Sequence, residues 1–243
     1  MYMKNKKHTL LKIYACVMTV CFLLAVAAFL LTFVKAGYYE KIMVKLGLKE
    51  PAAEVNWAVG GWNNTLMKLD YDADAVFLGD SITHSGDFRL YFPDKEIVNL
   101  GYYGDTLSGM IQRVPGAAAL NPEKVFVLGG INGLTDRNID TGISTYDWLL
   151  EELQTALPDA EIYVQSVLPV SDFREHAMLH NTSIAVFNAR LAGLADTRGC
   201  VYVDLYTLFE KDGQMNPELT ADGLHLVPEA YGIWAEAIAG YMD

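Results

Sequence analysis

Cysteine is scarce in this sequence, with only three among 243 residues. Cys16 and Cys21 lie in an apolar stretch near the N-terminus, and Cys200 is the only cysteine after it. The rest of the chain therefore cannot form an internal disulfide, and it has no cysteine pattern of the kind that binds zinc. These absences argue against a disulfide-stabilised secreted domain. They are typical of a cytosolic protein or of a bacterial envelope protein.

Positive charge is also scarce beyond the N-terminal region. From residue 51 onward there are 10 Lys and Arg against 28 Asp and Glu, a formal balance of −18. Such a surface repels phosphate backbones, which argues against nucleic acid as a partner and disfavours strongly anionic substrates. The chain has no internal repeat and no low-complexity tract. Its length and its 52% hydrophobic content allow one well-packed domain plus an appendage.

The appendage is an uncharged apolar segment of 22 residues, Ile13 to Val34, which follows a short basic tail at 1–12. A helix needs about 20 such residues to cross a bilayer, so we expect 13–34 to be a transmembrane anchor in contact with membrane lipid. A cleaved secretory signal is the alternative, but its apolar region would be only about 7–15 residues long. Lysines occur on both sides of the segment. Charge therefore does not decide the orientation. We expect the following domain to lie outside the cytoplasm, because a long domain that follows a short N-terminal tail is normally translocated.

After a juxtamembrane connector at 35–72, short apolar runs alternate with segments of helical period. Runs of four to six residues without polar alternation are typical of parallel strands buried on both faces. The predicted strands are Ala75–Leu78, Ile97–Leu100, Val125–Leu128, Ile162–Val167 and Val201–Leu205, and the predicted helices are Thr106–Leu120, Ile143–Leu157, Asn181–Ala195 and Pro228–Tyr241. The pattern predicts an α/β domain at 73–243, with a three-layer α/β/α architecture around a parallel sheet of about five strands.

In such a sheet the ligand site lies beyond the carboxyl ends of the strands, so the residues that follow each run are the candidates for function. Ser81 follows the first run, Gly104 the second and Asn132 the third. Asp222 and His225 lie in the predicted loop before the last helix. We expect these five residues to lie close together.

A serine hydroxyl becomes an effective nucleophile when an imidazole removes its proton and a carboxylate orients that imidazole. Ser81, His225 and Asp222 would supply these groups, with His225 as general base and Asp222 fixing its tautomer. A loop or a single helical turn can bring residues three apart to one side. A glycine N–H and an asparagine amide, as at Gly104 and Asn132, are suitable donors to an oxyanion. This set of residues predicts ester hydrolysis.

Each of these residues also has a structural alternative. Ser81 could cap a helix after the first strand, and Asn132 could satisfy backbone groups of its loop. Asp222 and His225 could cap the last helix and pair locally. Three other histidines are rival bases, but none has an acidic residue three positions before it: His84, His176 and His180.

Taken together, the motifs resemble the SGNH hydrolases, also called GDSL esterases, over roughly residues 73–243. The matching blocks are Gly79-Asp80-Ser81-Ile82, Asn99 to Thr106, Gly130-Ile131-Asn132 and Asp222-Gly223-Leu224-His225. The resemblance implies a flavodoxin-like sheet, no cofactor and no metal. It also implies that Ser81, Asp222 and His225 are catalytic, with an oxyanion hole formed by the N–H groups of Ser81 and Gly104 and the side chain of Asn132. Gly133 departs from the family, since many members have aspartate at that position.

The predicted function is that of a membrane-anchored serine esterase acting on small-molecule or carbohydrate acyl esters, with O-acetyl groups on carbohydrate as one candidate. An O-acyltransferase, a lysophospholipase or a thioesterase would use the same site. A different class is a non-catalytic flavodoxin-like binding domain, with a phosphate held by the hydroxyls of Ser81, Thr83 and Ser85. That alternative leaves Asp222 and His225 unexplained.

Overall fold

A computed structural model of the chain describes Met18, Asn63 and residues 65–172 and 179–243. The predicted membrane segment 13–34 lies outside these residues apart from Met18, as do the basic tail 1–12 and most of the connector 35–72. Within the part that the structure describes, no helix is both long enough and apolar enough to cross a bilayer. The membrane anchor therefore stays a prediction from the sequence.

Five parallel strands form the central sheet, in the spatial order β2-β1-β3-β4-β5. They are β1 (Ala75–Gly79), β2 (Ile97–Gly101), β3 (Lys124–Leu128), β4 (Glu161–Gln165) and β5 (Val201–Val203). All five residues of β1 are buried, as expected for a central strand with helices on both faces of the sheet. The predicted three-layer α/β/α fold with a parallel five-stranded sheet is confirmed.

Two predicted strands are too long at their carboxyl ends. β4 ends two residues early because the Val167 N–H donates to the Asn188 side chain, at 2.9 Å, instead of extending the strand pairing. β5 ends at Val203 because the chain turns there, and the Leu205 N–H donates to the Val203 carbonyl at 3.1 Å. Both strands therefore leave the sheet at the edge where the candidate residues lie.

Helices cover both faces of the sheet. One layer contains α2 (Leu107–Ala118), α3 (Ile139–Ala156) and α4 (Asn181–Thr197), which contact one another in succession. The opposite face carries α1 (Ser81–His84), a 3₁₀ turn (Phe88–Leu90) and the last helix, α6 (Ala230–Ile238), which ends in a 3₁₀ turn (Ala239–Tyr241). A short helix α5 (Tyr206–Phe209) leads into an antiparallel hairpin that the sequence did not predict, β6 (Glu210–Lys211) with β7 (Gln214–Met215).

An aromatic row holds the last helix against the sheet. Phe77, Phe126 and Tyr163 lie opposite one another on neighbouring strands, with ring centroids 4.8 and 4.6 Å apart. Phe88 stacks on Phe77 at 3.9 Å and meets Trp234 of α6 edge-on at 5.1 Å. Stacked and edge-to-face aromatic pairs of this kind stabilise a core beyond the area that they bury. The row therefore fixes α6 and restrains the loop that precedes it.

Candidate active site

Ser81 lies in the turn that follows β1, as the first residue of α1. The N-cap of α1 is Asp80, whose Oδ1 accepts the Ile82 N–H at 2.9 Å. Tyr231 of α6 donates its hydroxyl to the Ile82 carbonyl at 2.7 Å, which ties this short helix to the last one. Because Asp80 caps the helix, the capping role considered for Ser81 is not the one observed.

The loop before α6 brings a histidine to Ser81. Nε2 of His225 lies 3.0 Å from Ser81 Oγ, and Nδ1 of His225 lies 2.9 Å from Oδ2 of Asp222. Oδ1 of Asp222 accepts the backbone N–H of Leu224 at 3.1 Å and that of His225 at 2.8 Å, while Gly223 turns the chain with φ of +81°. This is a local turn separate from α6, whose N-cap is Glu229, so the helix-capping alternative for Asp222 and His225 is not observed.

The Asp222 carboxylate is held in its ionised form by the hydrogen bonds of this turn. Burial alone would raise its pKa. The backbone N–H of His225, its imidazole and the N–H of Leu224 outweigh burial and lower the pKa of Asp222 to about 2. Asp222 is therefore a carboxylate at any pH near neutral, as required of a group that orients an imidazole.

Three hydrogen-bond donors predicted for an oxyanion lie at the ends of β1, β2 and β3. Gly104 has φ of +70°, a left-handed conformation that favours glycine. Within the described residues, neither the Ser81 nor the Gly104 N–H donates to a protein acceptor. Nδ2 of Asn132 donates to the Asp105 carbonyl at 3.0 Å, which is in part the loop-supporting role considered for it. An amide nitrogen has two N–H groups, so a second one is left for a ligand.

Buried charges lie next to these donors, and the sequence did not predict them. Asp105 and Arg113 form an ion pair in which both side chains are at least nine-tenths buried. Asp80 is completely buried, and its Oδ2 has no partner among the described residues. Burial is the main cause that raises the pKa of Asp80 to about 7, and the nearby Asp105 carboxylate raises it further. The Ile82 N–H, His225 and Arg113 lower the pKa and offset part of this shift. The sequence gives no clear signal for this pair, because Asp105 precedes the N-cap of α2 and lies outside its helical pattern.

His84 is engaged elsewhere and does not act on the Ser81 hydroxyl. Its Nδ1 lies 2.9 Å from the Gly101 carbonyl, and its ring packs on that of Tyr103 with centroids 4.4 Å apart. Ser85, which we considered as a phosphate ligand, donates its hydroxyl to the Ser81 carbonyl at 3.0 Å and lies 3.5 Å from the Tyr103 hydroxyl. These contacts place an exposed aromatic ring next to Gly104.

Of the two remaining rival histidines, the structure describes only His180. His180 pairs with Asp136 at an exposed position, and His176 lies outside the described residues. Among the residues that the structure describes, no three His, Cys, Asp or Glu side chains are grouped so that they could hold a metal ion. The contacts among Ser81, His225 and Asp222 are suited to acyl transfer by a serine, with acid–base chemistry from one imidazole.

Known proteins resemble this chain in sequence. The model of the GDSL-like lipase/acylhydrolase family matches residues 77–233. N-acylneuraminate cytidylyltransferase from Streptococcus agalactiae serotype V is 28% identical over 161 residues, which are 65% of this chain and 36% of the relative. The chain therefore spans about a third of the length of the curated relatives that it matches.

Solved structures share the fold. A Streptococcus pneumonia protein named for platelet activating factor has a TM-score of 0.70 at 21% identity, with coverage of 86% of this chain and 99% of that one. An acetyl xylan esterase has a TM-score of 0.58 at 18% identity, with coverage of 69% and 98%. At these identities the likeness concerns the architecture.

Proposed function

The chain belongs to the GDSL-like lipase/acylhydrolase family and is a serine ester hydrolase, and on that premise we propose that it removes short acyl groups through an acyl-enzyme on Ser81. The preferred substrate is an O-acetyl ester on carbohydrate. The observation that carries the proposal is the contact of Ser81 Oγ with Nε2 of His225, at 3.0 Å, continued from Nδ1 to Asp222 at 2.9 Å.

Acylation begins when Ser81 Oγ attacks the carbonyl carbon of the ester and His225 Nε2 accepts the hydroxyl proton. The tetrahedral intermediate then expels the alcohol, to which His225 returns that proton, and the acyl group stays on Ser81. Water next attacks the acyl carbon, His225 takes the proton of the water, and Ser81 Oγ leaves and is reprotonated. Acid–base catalysis by a positioned histidine contributes about 10²–10⁴-fold. Asp222 keeps the proton on Nδ1, so Nε2 is free to accept one.

Charge on the carbonyl oxygen is stabilised by three donors in both tetrahedral intermediates. The N–H groups of Ser81 and Gly104 and the side-chain amide of Asn132 point to this role because two have no protein acceptor in the described residues and the third has an N–H to spare. Each such donor contributes about 10²–10³-fold in rate.

Three observations support an uncharged carbohydrate ester as the substrate. The Tyr103 ring, packed on His84 and 61% exposed, offers an aromatic face beside Gly104 on which a sugar ring can lie. The formal balance of −18 from residue 51 onward disfavours strongly anionic substrates. The name of one solved structure with this fold, an acetyl xylan esterase, also points to an acetylated sugar.

The location of the enzyme is proposed on the sequence alone. The apolar segment 13–34 is long enough to anchor the chain in a bilayer, with the hydrolase domain outside the cytoplasm. Ester groups on envelope or external polysaccharide would then be within its reach.

A substrate profile tests the proposal. Rates for p-nitrophenyl esters from acetyl to octanoyl are compared with acetate release from acetylated xylo-oligosaccharides, with Ser81→Ala as the blank. We expect a maximum at acetyl and acetate release that requires Ser81. A maximum at octanoyl without acetate release would replace the carbohydrate ester by a lipid or thioester substrate. Faster transfer of acetyl to an added sugar than to water would make the enzyme an acyltransferase.

A further inference from the structure

A single buried arginine connects the strand ends that form the candidate site. Arg113 of α2 donates from Nε to Oδ2 of Asp105 at 2.8 Å and from Nη2 to the Gly79 carbonyl at 2.9 Å. Its Nη1 donates to the Leu100 carbonyl, and Nη2 also contacts Oδ2 of Asp105. The guanidinium thus joins the end of β1, the end of β2 and the loop after β2.

Two of the three residues that accept from Arg113 lie within two positions of a proposed oxyanion donor. Gly79 is two residues before Ser81, and Asp105 directly follows Gly104. The Asp105 carbonyl in turn accepts the amide of Asn132 at 3.0 Å. The three donors come from three different loops, and Arg113 bonds to residues beside the first two donors and is linked to Asn132 only through Asp105.

Burial of the Asp105–Arg113 ion pair removes both charges from water, which opposes folding. Desolvation raises the pKa of Asp105 and lowers the pKa of Arg113, and in each case the charged partner opposes the shift. Buried ion pairs contribute little net stability, and apolar residues of similar volume often replace them without loss. A guanidinium, however, has a rigid planar fork of donors that fixes several acceptors at once. The pair is therefore better explained by geometry than by stability.

The local sequence is adapted to the Asp105 carboxylate. Thr106 caps α2, and its N–H donates to Oδ1 of Asp105 at 3.0 Å. A Cβ atom at Gly109 would lie 1.9 Å from the same oxygen, so a side chain there would displace the carboxylate. Arg113 follows one turn later on the same face of the helix. Residues 105, 109 and 113 therefore act as one unit.

From these contacts we propose that Arg113 is a positioning residue that sets the oxyanion donors of Ser81, Gly104 and Asn132 relative to one another. It does so through the Gly79 carbonyl and through Asp105 and has no contact with the substrate. The inference rests on the proposed acyl-enzyme mechanism. Donors fixed in advance stabilise the developing charge without reorganisation, and displacement of such a site by about 1 Å can cost about 10²-fold in rate.

The test replaces Arg113 by Met and by Lys in the full chain, purified in mild detergent. We expect kcat for p-nitrophenyl acetate to fall about 10²-fold in Arg113→Met while KM stays within about twofold, because the donors act on the transition state. The inhibition constant of butylboronic acid, which forms a tetrahedral adduct with a serine, should rise by the same factor. Arg113→Lys keeps the charge but lacks the fork, so it should fall between Met and the parent.

Two further measurements separate positioning from a purely structural role. Active sites are counted by organophosphonate titration, because a folding defect would reduce their number and leave the boronic acid constant of the remaining sites unchanged. Combination with Asn132→Ala should be markedly less than additive, since Arg113 acts partly through that amide. The matched control is Arg198→Met, which removes a surface arginine paired with Asp147 and Glu151 and should leave kcat unchanged.

The inference is wrong if folded Arg113→Met retains the parental kcat and boronic acid constant per active site. It is equally wrong if the whole loss is in the number of active sites. Should Arg113→Met fail to fold, Arg113→Lys is judged by the same criteria. Unchanged activity in Ser81→Ala would instead overturn the acyl-enzyme mechanism itself, so the two failures are distinguishable.

Discussion

Ser81 Oγ and Nε2 of His225 lie 3.0 Å apart although 144 positions separate the two residues in the chain. The distance is suited to direct proton transfer. The serine comes from the turn after a central strand, and the histidine comes from a loop held by the last helix. A hydroxyl and an imidazole from distant loops are thereby placed to act as nucleophile and base.

The base is tested against a rival that the sequence also contains. We predict that His225→Ala lowers kcat for p-nitrophenyl acetate by about 10²–10⁴-fold, because the Ser81 proton then has no acceptor. His180→Ala is the matched control, since it removes a histidine that also pairs with a carboxylate, Asp136, but at an exposed site. Loss of activity in His180→Ala with activity kept in His225→Ala would reverse the assignment. The measurement is kcat of the parent and of both variants, taken in stopped assays with equal amounts of folded protein.

The side-chain amide of Asn132 is predicted to act in the transition state. Asn132→Ala should lower kcat by about 10²–10³-fold and leave KM nearly unchanged, because the donor matters only when negative charge develops. Asn216→Ala, which changes a loop asparagine that accepts the Glu218 N–H, is the control and should have parental kinetics. An increase in KM at constant kcat would assign Asn132 to substrate binding instead. Steady-state kinetics give both constants.

The buried carboxyl of Asp80 is predicted to make stability depend on pH. Burial raises its pKa to about 7 in the folded state, above the ordinary value of 3.8. Protonated Asp80 therefore favours folding most below about pH 4, and this contribution is lost as the pH rises towards 7. Asp80→Asn does not titrate, so its melting temperature relative to the parent should rise between pH 4 and 7 and then level off. Thermal melts of both proteins across this range measure it; a constant or falling difference would contradict the prediction.

The N-terminal segment is predicted to anchor the chain. The full chain should stay with membranes after alkaline carbonate extraction, and a variant that lacks residues 1–34 should appear in the soluble fraction with the same kcat. External protease should degrade the hydrolase domain in cells whose envelope is opened, if the domain lies outside the cytoplasm. N-terminal sequencing covers the alternative, since a mature chain that begins after 34 would identify a cleaved signal. Release of the uncleaved full chain by carbonate would contradict the anchor.

The sheet was predictable because its strands are continuous apolar runs. All five predicted strands are present, and β1 to β3 differ from prediction by one residue at one end. The hairpin of β6 and β7 was not predictable from periodicity, since each strand has only two residues around a turn at Asp212 and Gly213, both with positive φ. Helix α3 begins four residues earlier than predicted, at Ile139, because its first turn is largely polar and hides the apolar period.

The candidate site was predictable only where short motifs marked it. Ser81 and Asn132 stand in recognisable blocks after strands and His225 in one before the last helix, and the structure brings Ser81 and His225 together at one edge of the sheet. The role of Arg113 was not readable, because the direction of a long side chain depends on how α2 packs against β1. A buried arginine within a helix has no sequence signature of its own. Its partner at 105 and the glycine at 109 become meaningful only when the coordinates show them on one face.

Covalent labelling measures the reactivity of Ser81 most directly. The full chain is treated with a fluorophosphonate, and the modified peptide is identified by mass spectrometry. We expect one adduct per chain, on Ser81, with loss of esterase activity in proportion to labelling; Ser81→Ala should not be labelled, and His225→Ala should react much more slowly. A stoichiometric adduct on another residue, or full inhibition with Ser81 unmodified, would contradict the account.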